Sequence, residues 1–249
     1  MSKSIVIIPT YNEIENIEKM IEAVLQLPIS VDILIVDDNS PDGTADVVKN
    51  IQKEHADKLF LLERPGKQGL GRAYIAGFEW CLQKEYQYIC EMDCDFSHNP
   101  ADLPRLIDAC ENQGADMSIG SRYVTGVNVV NWPMGRVMMS YYASAYVRFI
   151  TGMSIRDTTA GFVCYTRKVL EAFNLDDVKF KGYAFQIEMK FATWRMGFTI
   201  KEVPIIFTDR SEGTSKMSKG IFKEAVFGVL EMKIKSLFGH KYKKMVQDS

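Results

Sequence analysis

The chain has 249 residues, 47% of them hydrophobic, which is enough apolar content for a large domain with a real core. Lys and Arg total 30 against 32 Asp and Glu, a net charge of −2; this lacks the basic excess of a nucleic-acid binder, so any anion site must come from local placement of cations. The cysteines number 5, an odd count with no C-x-x-C pair, which points to free thiols and a reducing compartment.

The N-terminus, "MSKSIVIIPTYNE", has a short apolar core and no small-residue cleavage site, so it does not read as a signal peptide. Short β-branched runs then alternate with helical patterns. Residues 4–9, 31–37, 59–63, 86–93 and 115–120 read as strands, and 13–27, 43–55, 68–84 and 101–113 as helices. Alternation of this kind predicts βαβ units and a doubly wound, mostly parallel α/β sheet with helices on both faces. In such sheets ligands bind beyond the carboxyl ends of the strands, where "PTYNE", "VDDNSPDGT" and "MDCDFSH" fall. Further on, 182–198 reads as a helix, 198–207 as a strand, and the stretch from Gly220 as an amphipathic helix. The longest uncharged stretch, 123–135, is too short and too polar to span a bilayer.

If the strand over 86–93 continued past its end, Asp93 and Asp95 would share one face. At roughly 5 Å and an effective dielectric of about 20, two such charges repel by about 3 kcal/mol. They can bind a hard cation, share a proton, or cap the next helix. Oxygen-only ligands favour Mg²⁺ or Mn²⁺ shared with a substrate diphosphate. Cys90, Cys94 and His98 have a spacing that could suggest zinc, but no fourth ligand is evident. Asp37 and Asp38 could accept hydrogen bonds from a ribose or base, while Asp42 or Thr44 would cap the following helix. "RPGKQGLGRA" fits neither phosphate-loop pattern and reads as a glycine turn into a helix, with Lys67 a possible ligand contact. Arg122, Arg210 and Lys216 lie just beyond predicted strands, as phosphate ligands would. With 3 histidines scattered along the chain, no histidine-led mechanism emerges.

"PTYNE", "VDDNSPDGT", "GLGRAYIAGF", "MDCDFSH", "GSRY", "DTTAGF", "KGYAFQIEM" and "FTDRSEGTSK" occur in that order from about residue 4 to 220. In this the chain resembles the dolichyl-phosphate (polyprenyl-phosphate) mannosyltransferases, inverting glycosyltransferases of family 2 with the GT-A fold. The resemblance implies a catalytic domain over 1–220, with a nucleotide-sugar half at 1–122 and an acceptor half at 123–220, followed by a C-terminal amphipathic helix and basic tail at 221–249. It implies that Pro9, Tyr11, Glu13, Val36 and Asp38 hold the nucleoside of GDP-mannose. Asp93, Cys94 and Asp95 would be the D-x-D motif, with Asp93, Asp95 and Ser97 at an Mg²⁺ or Mn²⁺ ion. Some relatives have Gln where this chain has Ser97, a shorter ligand. Arg122, Arg210 and Lys216 would hold phosphates, with Asp95 completing the catalytic set, and Arg122, Arg136 and Ser140 would meet the acceptor phosphate.

An acceptor phosphate is already ionised near neutral pH, so no general base is needed, and Glu188 would serve to orient a loop or an Arg rather than act as one. A polyprenyl or dolichyl phosphate acceptor suits the Met-, Trp- and Tyr-rich segment 132–149, which reads as an interfacial helix, and the lysines of "GHKYKKM". The expected location is the cytoplasmic face of a membrane, held peripherally or through a membrane-protein partner. Alternatives are a UDP-glucose donor or a non-lipid acceptor on the same fold. A sugar-nucleotide pyrophosphorylase would need a glycine-rich loop where "PTYNEIEN" stands. A non-catalytic nucleotide sensor would have no need of the whole set of carboxylates and cations.

Overall fold

The computed structural model describes residues 3–180, 182–209 and 219–238. The first half alternates as its periodicity predicts. β1 (Ser4–Thr10), α1 (Ile17–Leu25), β2 (Asp32–Asp37), α2 (Thr44–Gln52), β3 (Leu59–Glu63), α3 (Leu70–Leu82) and β4 (Tyr88–Glu91) follow in turn. A 3-10 turn at Pro100–Asp102 then leads into α4 (Leu103–Glu111) and β5 (Met117–Ser121). Asn99 accepts from Ala101 N at 3.0 Å and so starts that turn. The second half supplies β6 (Val129–Val130), α5 (Met134–Thr151), β7 (Val163–Thr166), α6 (Arg167–Glu171), α7 (Tyr183–Arg195), β8 (Ile200–Pro204), β9 (Phe207–Thr208) and α8 (Lys219–Phe238).

The main sheet has 7 strands in the order β3-β2-β1-β4-β7-β5-β8. All neighbours are parallel except β7, which runs antiparallel to both β4 and β5. The α/β class expected from the sequence is the one observed, with β7 an addition. The expected strand over 198–207 is divided: β8 joins the main sheet, while β9 pairs with β6 in a separate 2-stranded ribbon.

Alternation along the strands sends side chains to two cores. Ile5, Ile7, Leu34, Val36 and Ile89 face α3, α7 and α8, whereas Val6, Ile8, Ile33, Ile35 and Cys90 face α1, α2 and α4. Helices therefore cover both faces, and the parallel strands are apolar throughout, as doubly covered strands must be. Gly71 allows the close approach of α3 to α7, because a Cβ there would lie 2.8 Å from the Phe185 ring. β1, β2, β4 and β5 end at one edge of the sheet, and β7 starts there. The chain steps out from β1 to β2 and β3 and then returns to β4 on the other side of β1. The carboxyl ends of β1 and β4 thus flank the topological switch point, where open α/β sheets bind ligands.

Candidate active site

At the end of β1 the "PTYNE" loop is laced to the "VDDNSPDGT" loop after β2. Thr10 Oγ1 donates to Asp37 Oδ2 at 2.7 Å, Asn12 N to Ser40 Oγ at 3.0 Å, Glu13 N to Thr44 Oγ1 at 3.1 Å and Ile14 N to Asp42 Oδ2 at 3.1 Å. Asp37 also accepts from Ser40 N and Oγ, so it is a scaffold residue and not an open ligand group. Asp42 accepts from Thr44 N and Oγ1, the capping role expected of it. Partial burial opposes ionisation of Asp42, but the Thr44 and Ile14 donors prevail and hold its pKa below the usual value.

Asp38 stands differently. It is buried, and its Oδ1 lies 3.2 Å from Arg64 Nη1. Neither atom makes a hydrogen bond of good geometry. Burial raises the Asp38 pKa, with Arg64 opposing that shift. This buried acceptor with unused capacity is the arrangement a ribose or base donor would complete. Arg64 was not singled out in the sequence. Tyr11 is half-buried, and Lys67 Nζ sits 4.6 Å from the centre of its ring, so the glycine turn brings Lys67 to this end of the cleft. Gly69 holds φ +103°, a backbone state open to glycine alone, as α3 begins. Pro9 is half-buried at the end of β1 opposite Val36, whose side chain is wholly in the core.

The strand expected over 86–93 stops short of the aspartates. β4 ends at Glu91, and Asp93 N donates to His98 Nδ1 at 3.2 Å instead of to a neighbouring strand. Burial still alternates for a few residues, with Met92 and Cys94 in the core and Asp93 and Asp95 partly exposed. Both carboxylates therefore face the cleft, held by a turn in which Phe96 takes a positive φ of 58°. Ser97 N donates to Asp95 Oδ1 at 3.1 Å, and Tyr74 Oη reaches Asp93 Oδ1 at 3.4 Å. Since His98 Nδ1 is an acceptor, the 3.8 Å approach of Asp93 Oδ2 to it is not an ion pair. Burial lowers the His98 pKa to about 4, so the ring is neutral, stacked on Phe162.

The donor chemistry decides what this turn can hold. Cys90 and Cys94 are both in the core and His98 Nδ1 is already an acceptor, so the three do not gather into a zinc site. Among the described residues no cluster of His, Cys, Asp and Glu encloses a metal ion. What remains is a pair of partly exposed carboxylates in one turn with Ser97, which fits a hard cation that takes its other ligands from a diphosphate and water.

Across the cleft, Arg122 follows β5 and is buried. Its Nε and backbone N donate to Asp157 Oδ2 at 2.7 and 2.9 Å, and its Nη2 to Asp157 Oδ1 at 2.6 Å and Thr159 Oγ1 at 2.9 Å. Its guanidinium also lies 5.2 to 5.6 Å from the rings of Tyr123, Trp132 and Phe207. Arg136 stacks on the same Trp132 ring at 4.2 Å and pairs with Asp209 at 2.9 Å. Tyr123 Oη donates to Ser140 Oγ at 2.8 Å. Arg122, Arg136 and Ser140 are thus gathered on one aromatic patch, although both guanidinia already hold a carboxylate. Thr208 N donates to Ser97 O at 3.4 Å, tying β9 to the aspartate turn. Arg210 and Lys216 lie outside the described residues. Glu188 accepts from Lys179 N at 3.0 Å and Phe180 N at 3.2 Å, the loop-orienting role.

Behind the aspartates lies a buried network that the sequence reading passed over. Gln186 Nε2 donates to Glu91 Oε2 at 2.7 Å, and Lys190 Nζ donates to Ala160 O at 2.6 Å and Gln186 Oε1 at 3.2 Å. Burial raises the Glu91 pKa to about 8 and lowers that of Lys190 to about 8, each opposed by the other's charge. A Glu closing the otherwise apolar run "YICE" was the available signal.

α5 buries only Ser144, Val147 and Thr151. It exposes Met134 (71%), Tyr142 (62%) and Phe149 (87%), and the neighbouring α8 exposes Phe227 (66%) and Ile234 (56%). Among the described residues no helix is long and apolar enough to cross a membrane.

A doubly covered, mostly parallel α/β sheet with paired aspartates and an arginine patch beyond its strand ends is the architecture of a GT-A glycosyltransferase. The family model for glycosyl transferase family 2 matches residues 5–174, and the chain belongs to that family. It is 46% identical over 233 residues to a polyprenol monophosphomannose synthase of Mycolicibacterium smegmatis, covering 94% of this chain and 88% of that protein. It is 47% identical over 223 residues to an undecaprenyl-phosphate mannosyltransferase of Micrococcus luteus, covering 90% of each. In fold it is similar to a mannosyltransferase of Pyrobaculum calidifontis in complex with GDP-Man and Mn²⁺ (TM-score 0.59, 17% identity, 97% of this chain and 66% of that one). It is also similar to glucosyl-3-phosphoglycerate synthase of Mycobacterium tuberculosis (TM-score 0.65, 17% identity, 94% and 79%).

Proposed function

We propose that the chain transfers mannose from GDP-mannose, with inversion, to a polyprenyl or dolichyl phosphate in a membrane, giving polyprenyl-phosphate mannose and GDP. The observation that carries this reading is the placement of Asp93 and Asp95 at the switch point, opposite a patch joining Arg122, Arg136 and Ser140. The names and close similarity of the two bacterial relatives support the donor and acceptor classes.

In this reading Asp38, Glu13, Tyr11 and Pro9 seat the nucleoside, with Arg64 fixing Asp38 and Lys67 beside Tyr11. Val36 and Cys94 shape the floor from the core side. Asp93 and Asp95, with Ser97, would hold Mg²⁺ or Mn²⁺. When bound, such an ion offsets negative charge on the departing diphosphate. Arg210 and Lys216 share that charge, and the Arg122–Arg136–Ser140 patch orients the acceptor phosphate. One acceptor oxygen forms the new bond to the sugar's anomeric carbon as the carbon–oxygen bond to GDP breaks, and GDP leaves with the electron pair. The attacking oxygen is already ionised, so the chain need not remove a proton. Its residues act by positioning and by charge.

The exposed apolar stripes of α5 and α8 rest on the bilayer in this reading, holding the chain peripherally on the cytoplasmic face. The nucleophile is tested by offering polyprenyl phosphate and the matching unphosphorylated polyprenol in detergent. Transfer to the phosphate alone is expected; equal transfer to the alcohol contradicts the mechanism.

A further inference from the structure

A second basic site lies beside the apolar stripe of α5. Gly152, at φ +81°, ends the helix, and the following loop returns so that Arg148 Nη1 donates to Arg156 O at 3.3 Å. Between them opens a cavity of about 300 Å³ lined by Tyr123, Tyr141, Arg148, Ser154 and Arg156. Tyr141 meets Tyr123 edge-on at 5.5 Å and forms one wall.

The charge balance separates this cavity from the patch at Arg122. Arg122 and Arg136 are each paired with an aspartate, Asp157 and Asp209. Among the described residues, neither Arg148 nor Arg156 is within ion-pair distance of a carboxylate. Glu202, which lies near in space, is taken up by the backbone N–H groups of Arg156 and Asp157 and by Ser121 Oγ. Two guanidinia with no carboxylate partner among the described residues, a serine hydroxyl and the Tyr141 phenol around one cavity form a donor set for a phosphate, while the Tyr123 hydroxyl is turned to Ser140. Arg148 falls two turns beyond Tyr141 on the helix, next to Phe149, which is 87% exposed. The cavity therefore opens where the apolar stripe would meet lipid headgroups.

We infer that the Arg148–Arg156 cavity binds the headgroup phosphate of an anionic bilayer phospholipid, apart from the acceptor phosphate, and makes docking selective for anionic membranes. The inference rests on the proposed membrane reading and adds a lipid that is bound but not consumed. Phosphate chemistry alone would also suit the acceptor, so the test separates the two sources.

The full chain would be titrated with vesicles of phosphatidylcholine with and without phosphatidylglycerol, as parent, as Arg156→Gln and as the Arg148→Gln/Arg156→Gln double variant. The expected result is tighter binding of the parent to phosphatidylglycerol vesicles, and a loss of roughly tenfold in the double variant for those vesicles only. The Arg156→Gln variant, altered at an exposed side chain, should show part of that loss with unchanged melting. Detergent assays with short-chain polyprenyl phosphate should keep the parent kcat and KM. Equal vesicle binding by parent and double variant would overturn the inference. So would a raised acceptor KM in detergent, which assigns the cavity to the acceptor phosphate. Failure of the proposed mannosyl transfer would appear instead as a parent protein inactive in detergent, whatever the vesicles show.

Discussion

Arg122 and Asp157 form a two-pronged ion pair, Nε to Oδ2 at 2.7 Å and Nη2 to Oδ1 at 2.6 Å, in which the Asp157 side chain is wholly buried. The pair ties the end of β5 to the "DTTAGF" loop and fixes the guanidinium among Tyr123, Trp132 and Phe207. Arg122 is therefore a held cation whose position is set before any substrate arrives.

Asp157→Asn leaves that cation buried without its partner. A loss of about 3–5 kcal/mol in unfolding free energy is expected from urea titration. A loss under about 1 kcal/mol, as at an exposed pair, would contradict the structural role.

The same pair sets an acid limit. Burial opposes ionisation of Asp157, but the Arg122 charge and hydrogen bonds prevail and keep its folded pKa below the usual value. Its contribution is fully present above the unfolded Asp pKa of about 3.9 and is lost as pH falls through the lower folded value. Acid titration of parent and Asp157→Asn should converge at the bottom of that window. Constant separation down to the lowest pH would exclude the linkage.

Asp95→Ala removes a partly exposed side chain that accepts from Ser97 N at 3.1 Å. Turnover should fall by at least about 10²–10³-fold, with melting temperature close to the parent. Chelator should silence the parent similarly, and activity that persists in chelator argues against Asp93 and Asp95 as cation ligands.

Glu188 separates loop-holding from base chemistry. Glu188→Gln keeps an acceptor for Lys179 N or Phe180 N and should retain most of the turnover, while Glu188→Ala should cost about 1–3 kcal/mol of stability. Comparable loss of kcat in both variants, with stability unchanged, would mark Glu188 as a proton acceptor.

For the buried network, Lys190→Met removes the donor to Gln186 Oε1 and Ala160 O, and Glu91→Leu removes the acceptor of Gln186 Nε2. Each should destabilise by about 1–3 kcal/mol, and the double variant by less than the sum, because both act through Gln186. Additive effects in the denaturation cycle would show that Gln186 does not couple the two side chains.

The first half was legible because its strands are apolar and its helices amphipathic at regular spacing, so β1 through β4 and the loops beyond them could be placed. β7 was missed because "VCYT" is short and its antiparallel insertion leaves no local trace. The aspartate pair and its common orientation are legible, but the strand's end is not: the ladder ends at Glu91 because the Asp93 N–H turns to His98. Arg122 and Arg136 were found as cations, whereas Asp157 and Asp209, their partners 35 and 73 residues away, could not be paired by spacing. Arg64 and Lys190 escaped notice because only tertiary contact distinguishes them from surface charges.

The central claim is donor and acceptor identity, and it is tested most directly by incubating the purified chain with Mg²⁺ or Mn²⁺, a short-chain polyprenyl phosphate in detergent, and radiolabelled GDP-mannose or UDP-glucose in separate reactions. Label entering the organic phase from GDP-mannose, and not from UDP-glucose, with loss of that label on adding chelator, is the predicted result. Transfer from UDP-glucose alone, or no lipid-linked label from either donor, would contradict it.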